Sequence, residues 1–329
     1  QQPVLGSGPG RAWALEGDGS YVYAAWQAGG ATDGSGQVGI WSDSGEAGPQ
    51  VSAGIASRVL GLAISGDSLW TVGDGPGTAG TKAQIVRRKR SDLTAEATVS
   101  GGLGVSIDET LWAGAAAADG TLVAVGSVRK TAAAVADGWI VRVSPVGAVV
   151  KTSQLAHPEG ADVLYAITPM PLSGGDAGFV AAGERTTATG KRMWVVRLTA
   201  HGEVLWDKAV DYTLPGGNET SARAVVALTG EGGPTAASLI VLGSADSEAL
   251  AQALDPFGNP ITAKSYGTGR LYGGAAWSGD RWIGAGQSGP VANGVWLGHL
   301  ADIWLQESCD ETDCLGTSPA ECDDNNPCT

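Results

Sequence analysis

The chain has 329 residues, a formal net charge of −14 and a pI near 4.5, with 52 glycines, 15 prolines and 43% hydrophobic residues. That balance excludes the concentrated basic footprint that nucleic acid or an anionic membrane surface requires, and no apolar run approaches the roughly 18 residues of a membrane span. Glycine and proline are abundant enough to make low complexity a rival reading, but 12 tryptophans and the apolar content supply enough buried surface to offset the entropy of ordering the backbone.

The chain starts at Gln1 with no methionine, charged n-region or apolar h-region, so it reads as a mature exported protein whose signal peptide has been removed. A unit of short apolar runs then recurs six times. Its second run reads SYVYAAW from Ser20, SLWTVG from Ser68, TLVAVG from Thr121, GFVAAG from Gly178, SLIVLG from Ser238 and RWIGAG from Arg281. The last five end on Gly73, Gly126, Gly183, Gly243 and Gly286, with Ala25 taking that place in the first. Third runs close on a turn glycine: VGIWSDSG at Gly45, DGWIVRVSPVG at Gly147, KRMWVVRLTAHG at Gly202 and EALAQALDPFG at Gly258. Trp139, Trp194 and Trp296 share one column of that run. Fourth runs follow at Val51, Ala95, Ala148, Val204 and Ile261.

Runs of this length, partly β-branched or aromatic and separated by turns such as Gly66-Asp67, Asp119-Gly120 and Gly279-Asp280, are strands and hairpins. Glycine interrupts nearly every longer window, and each would cost a helix about 1 kcal/mol relative to Ala. The glycine column repeats at roughly 43 to 60 residues, the size of a four-stranded blade. The predicted fold is therefore all-β: a β-propeller of six four-stranded blades over residues 1–306, then a short Cys-rich acidic tail over 307–329. A β-helix would need a shorter repeat. The small first runs, such as GLAISGD from Gly61 and WAGAAAADG from Trp112, suit the crowded innermost strands. Gln2 to Ser7 is expected to close the ring against the last blade.

The copies DGWIVRVSPVGAVVK and KRMWVVRLTAHGEVLWDK resemble the repeats of secreted bacterial β-propellers, through Trp139, Arg142, Gly147, Trp194, Arg197, Gly202 and Trp206. The resemblance implies a fold and an exported location, without implying one activity. The tail resembles the Cys-, Asp- and Asn-rich modules that follow domains in bacterial surface proteins, which are often repeated, so the natural chain is open to continuing beyond Thr329.

Cys309, Cys314, Cys322 and Cys328 lie in the last 21 residues and nowhere else, which predicts two disulfides in an oxidising compartment, in any of three pairings. Their spacing lacks the CxxC knuckle of a zinc site. Asp310, Asp313, Asp323, Asp324, Asn325 and Asn326 offer the hard oxygens that calcium takes, although without EF-hand spacing; otherwise no cofactor is implied. His157, before Pro158, and His201, in a turn, read as exposed, and with His299 they occupy unrelated positions. No HExxH, GxSxG, CxxCH or Walker-type loop is present.

The basic run Arg87, Arg88, Lys89 and Arg90 reads as a solvated strand face. Arg87, Arg142, Arg197 and His299 share a third-strand column that could face an anion, with ion pairing between blades the plainer account. Ser65 to Trp70 resembles a shortened sialidase Asp box and is read as a hairpin turn. Asn218-Glu219-Thr220 is a glycosylation sequon. The function expected from these features is a non-enzymatic extracellular or cell-surface module that binds a protein or glycan partner or copies of itself. The alternative is a glycan-active hydrolase or lyase whose loop carboxylates, such as Asp162, Asp176 and Glu184, meet over the central channel.

Overall fold

The computed structural model describes residues 10–28, 35–55, 57–100, 106–170, 178–210, 219–228, 238–278, 281–288 and 301–303. Every regular element among them is a strand. Blade 1 comprises β1 (Gly10–Gly17), β2 (Tyr21–Ala28), β3 (Ser35–Ser42) and β4 (Ala47–Ile55), and blade 2 comprises β5 (Arg58–Ser65), β6 (Ser68–Gly77), β7 (Gly80–Lys89) and β8 (Ala95–Ser100). Blade 3 holds β9 (Asp108–Ala116), β10 (Leu122–Arg129), β11 (Asp137–Val143) and β12 (Val149–Leu155). Blade 4 holds β13 (Asp162–Met170), β14 (Gly178–Thr187), β15 (Gly190–Leu198) and β16 (Val204–Val210). Each is an antiparallel meander in sequence order.

The fifth sheet departs from the expected count. It has six strands: β17 (Thr220–Leu228), β18 (Ser238–Ala245), β19 (Glu248–Leu254), β20 (Pro260–Ser278), β21 (Arg281–Ser288) and β22 (Ala301–Ile303). β20 does not break between repeats. Residues from Pro260 to Thr268 pair with β19 as the outer strand of blade 5, and those from Gly269 onward pair with β21 as the inner strand of a sixth repeat. Gly267, at φ 77, and Gly269, at φ 154, let the chain change direction without leaving the ladder. The result is five hydrogen-bonded sheets carrying six repeats, the last one described as three strands. Trp296, His299, the sequon at Asn218, Asp176, Gln2 to Ser7 and the whole cysteine tail lie outside the described residues.

The first strands of successive repeats, β1, β5, β9, β13, β17 and the second half of β20, each touch the next. This makes them the innermost strands, as the small residues predicted. Between the sheets lie the cores, for example Val180, Ala182, Met193 and Val195 of blade 4 against Ala222, Val225, Leu239 and Val241 of blade 5. Trp139 and Trp194 are both buried. Trp194 packs on the adjacent blade, where a Cβ on Gly138 would lie 2.5 Å from its ring.

The glycine column has one physical cause. Every inner strand carries a β-bulge at the same height, so that one extra residue stands out: Trp13, Leu60, Trp112, Tyr165, Arg223 and Tyr272. The bulge swings the carbonyl two residues earlier toward the neighbouring strand. A Cβ on Gly73, Gly126, Gly183, Gly243 or Gly286 would stand 1.8, 1.9, 1.9, 1.8 or 2.0 Å from that oxygen. No side chain fits at those five positions, hence the five glycines. In the first copy the register sets Trp26 opposite Ala12, just before the bulge, so Trp26 rather than Ala25 stands in the column.

Candidate functional site

Two columns of buried polar residues recur from blade to blade, and several of them bond across to the neighbouring blade. The first is the residue after the column glycine: Asp74, Glu184, Ser244 and Gln287 are buried, as is Gln27 in the first copy. Asp74 accepts a 2.7 Å hydrogen bond from Arg58 Nε and a 2.9 Å bond from Thr110 Oγ1 of blade 3. Glu184 accepts from Lys191 Nζ at 3.1 Å and from Ser221 Oγ of blade 5 at 2.9 Å, and lies 3.6 Å from Arg223 Nη2. Burial pushes the Glu184 carboxyl up, but these hydrogen bonds outweigh it and its pKa falls below the usual value.

The second column opens the inner strands at Ser57, Glu109, Asp162 and Thr220, all buried. Lys82 Nζ of blade 2 reaches Glu109 Oε1 at 3.3 Å, and Thr220 Oγ1 accepts the Met193 backbone N–H of blade 4 at 2.7 Å. Asp162 contacts His157 Nδ1 at 2.7 Å and accepts the Thr186 N–H at 3.3 Å. Burial raises its pKa more than these partners lower it.

The two described carboxylates of the enzymatic alternative are therefore strand residues in repeated structural positions, not loop groups converging over a channel. His157 is not exposed either: its side chain is 16% accessible, its Nε2 lies 3.5 Å from Asp207, and it meets the Trp194 ring edge-on at 5.4 Å. The third-strand arginines share their column as predicted, opposite Trp70, Val123 and Val180. Two of the three are engaged within the protein. Arg87 bonds Ser68 Oγ and the Pro145 carbonyl and lies 3.4 Å from Glu96, while Arg197 is buried against the Phe179 carbonyl.

Above these columns, the bulged residues meet their counterparts on neighbouring blades. The rings of Trp112 and Tyr165 stand edge to face at 5.3 Å; Arg223 lies 3.7 Å over Tyr165, and Arg58 lies 5.7 Å from the centre of Trp112. Burial lifts the Tyr165 hydroxyl to about 12. A collar of aromatic and guanidinium groups thus runs across the inner strands of blades 2 to 5. Sequence reasoning missed it because one extra residue in an otherwise regular strand leaves no turn signal.

A cleft of about 890 Å3 lies elsewhere, between blades 1 and 2. Tyr21, Glu46 and Pro49 line one wall, and Arg87, Lys89 and Arg90 line the other. Its cause is a turn that breaks the repeat. In blades 3, 4 and 5 the third strand ends in a positive-φ glycine set close to the blade before: Gly147 by Ala97, Gly202 by Val123, Gly258 by Trp206. Blade 2 has Arg90 to Thr94 instead, with Leu93 at φ 60 and fully buried. Arg90 reaches across to Asp18 at 2.7 Å and stands 6.0 Å from the Tyr23 ring. Arg87, exposed Lys89 and Arg90 of the basic run thus line the cleft, and Arg88 departs from the solvated face expected of the run: it is buried and bonded to the Leu93 carbonyl.

These features define the class as a β-propeller, and solved structures bear it out. The Dos1 propeller superposes with a TM-score of 0.50 at 10% identity, over 85% of this chain and 67% of that one. The quinohemoprotein alcohol dehydrogenase ADHIIG from Pseudomonas putida HK5 gives 0.52 at 12% identity, over 83% of this chain and 55% of the enzyme. At such identities the likeness is one of fold. No family model and no curated protein matches the sequence.

Proposed function

We propose that this chain is a non-enzymatic extracellular or cell-surface interaction module that engages its partner in the cleft between blades 1 and 2. One observation carries the reading: the cleft opens where the repeat is broken, whereas Glu184 is bonded across to blade 5 and Asp162 is held by His157 and the Thr186 N–H. Departures from a local rule that the rest of the molecule obeys concentrate at functional sites. The volume is within the range of ligand-binding clefts, and its walls mix aromatic, basic and acidic groups suited to a polar partner. The extracellular setting is supported by the four clustered cysteines and by the likeness of the repeats to exported propellers.

The test is to isolate the protein from its source, image it for assemblies and identify what it retains. Tyr21→Ala and Lys89→Glu should release the partner while leaving the melting temperature unchanged. A partner retained equally by both variants would remove the cleft from the account.

A further inference from the structure

We propose that the outer strands of blades 3, 4 and 5 form a self-association face that takes a second copy of this chain. The face is independent of the cleft, which lies on blades 1 and 2.

Each fourth, outer strand carries a β-bulge just after the turn from the third. The register skips Val150, Leu205 and Ile261 in blades 3, 4 and 5, Glu96 in blade 2, and Gly48 and Pro49 in blade 1. The bulge belongs to the repeat, but its occupant does not. An outer strand with a free edge is ordinarily guarded by charge, as Glu96 guards blade 2. Val150, Leu205 and Ile261 are instead aliphatic, and 53, 55 and 61% exposed. Val149 and Val204 precede the first two, and Val146 and Phe257 stand on adjoining turns, 76 and 69% exposed.

These side chains form one strip, because each turn leans on the blade before it. Glu203 Oε1 of the blade 4 turn lies 3.1 Å from Lys151 Nζ of blade 3. Asn259 Oδ1 of the blade 5 turn lies 2.9 Å from Lys208 Nζ of blade 4, with Gly258 set against the Trp206 ring. The strip exposes on the order of 600 Å2 of apolar surface, the top of the range that a monomer leaves open in one patch. A standard interface covers about 800 Å2 per partner and a homodimer interface is about 65% apolar, so the strip and a polar rim suffice for a stable dimer.

Charge selects the occupant. A second copy of a chain with net charge −14 is repelled in general, and least where the local charges cancel. Along the strip Lys151 and Lys208 stand against Glu203 and Asp255, and Asp255 is held by the Phe257 and Asn259 backbone N–H groups of its own turn. That leaves no surplus of either sign to steer a charged partner. A two-fold contact needs one surface that complements itself, which an apolar strip with both signs at its margin does.

Sedimentation of the full chain across a concentration series tests the face. At roughly 100 μM the protein is expected to be dimeric and to dissociate on dilution. Leu205→Ser combined with Ile261→Ser should weaken the dimer at least roughly tenfold, with the melting temperature of the dilute monomer unchanged. Val150→Ser, in another blade, repeats the test should the double variant fail to fold. Tyr21→Ala and Lys89→Glu, in the cleft, should leave association unchanged, as should a reductant. Salt screens the net charge, so about 0.5 M sodium chloride should tighten the dimer. A monomer at every concentration, a dimer untouched by the serine variants, or one abolished by salt or by reductant would each overturn the proposal. A dimer lost on Tyr21→Ala would assign association to the cleft and overturn it too.

Discussion

Blades 3 and 4 and blade 2 share one plan at their inner ends and part company at the turn between third and fourth strands. At the inner ends, bulge, facing glycine and buried polar partner recur, and a Cβ at Gly73, Gly126 or Gly183 would meet an oxygen at 1.8 to 1.9 Å. At the turns, blades 3 and 4 close on a glycine held near the neighbouring blade, whereas blade 2 inserts Arg90 to Thr94 and leaves a cleft. Where the repeat is obeyed, a residue's role is set by the architecture. Where it is broken, the local sequence must be explained by something else.

The harshest test of the shared plan is Gly126→Ala or Gly183→Ala. The added methyl has only backbone to displace, so denaturant unfolding should show a loss of at least about 3 kcal/mol, or no folded protein. The same change at Gly273, where a Cβ would meet nothing within 4 Å, should be tolerated.

Glu184→Gln separates fastener from catalyst. It weakens the contacts to Lys191 and Arg223, and an expected loss of about 2 kcal/mol at neutral pH should appear as a lower denaturation midpoint. Because the folded pKa of Glu184 lies below its unfolded value, its contribution is complete above the unfolded pKa and vanishes as pH falls through the folded one. The difference between variant and wild type should therefore shrink in an acid titration below about pH 4.5. Asp162 has the opposite sign: burial raises its pKa, so its ionisation works against the fold as pH rises.

At the broken turn, Leu93→Gly sets two effects against each other. Relief of a left-handed backbone returns about 1 kcal/mol, and losing a fully buried leucine costs about 2 to 5. Burial wins, so thermal unfolding should show net destabilisation, together with weaker retention of the partner as the cleft wall loosens. The smallest effect belongs to the regular turns. Ser144 Oγ accepts the Ala148 N–H at 3.1 Å, and Ser144→Ala should cost about 0.5 to 1 kcal/mol by the same assay, with partner retention intact.

Much of this plan is legible in the sequence. Five second strands announce themselves by ending on Gly73, Gly126, Gly183, Gly243 and Gly286, where a Cβ would collide with the facing carbonyl. The bulges themselves are not legible, because Trp112 or Tyr165 looks like any strand aromatic until pairing register shows it unopposed. For the same reason the sequence places Ala25 in the glycine column, where the register uses Trp26. Asp162 and Glu184 invite a catalytic reading because a carboxylate's partners, here His157, Lys191, Ser221 and Arg223, come from separate stretches of chain. The cleft is hidden for a simpler reason: nothing in Arg90 to Thr94 reveals what its missing glycine would have packed against.

The proposed function requires that this propeller bind without turning over. The most direct measurement incubates the folded protein with a polysaccharide panel and reads retention and newly released chain ends together. No release is expected on any substrate, whether or not a glycan is retained. Reproducible release that disappears in Glu184→Gln or Asp162→Asn, with the fold of the variant intact, would contradict it.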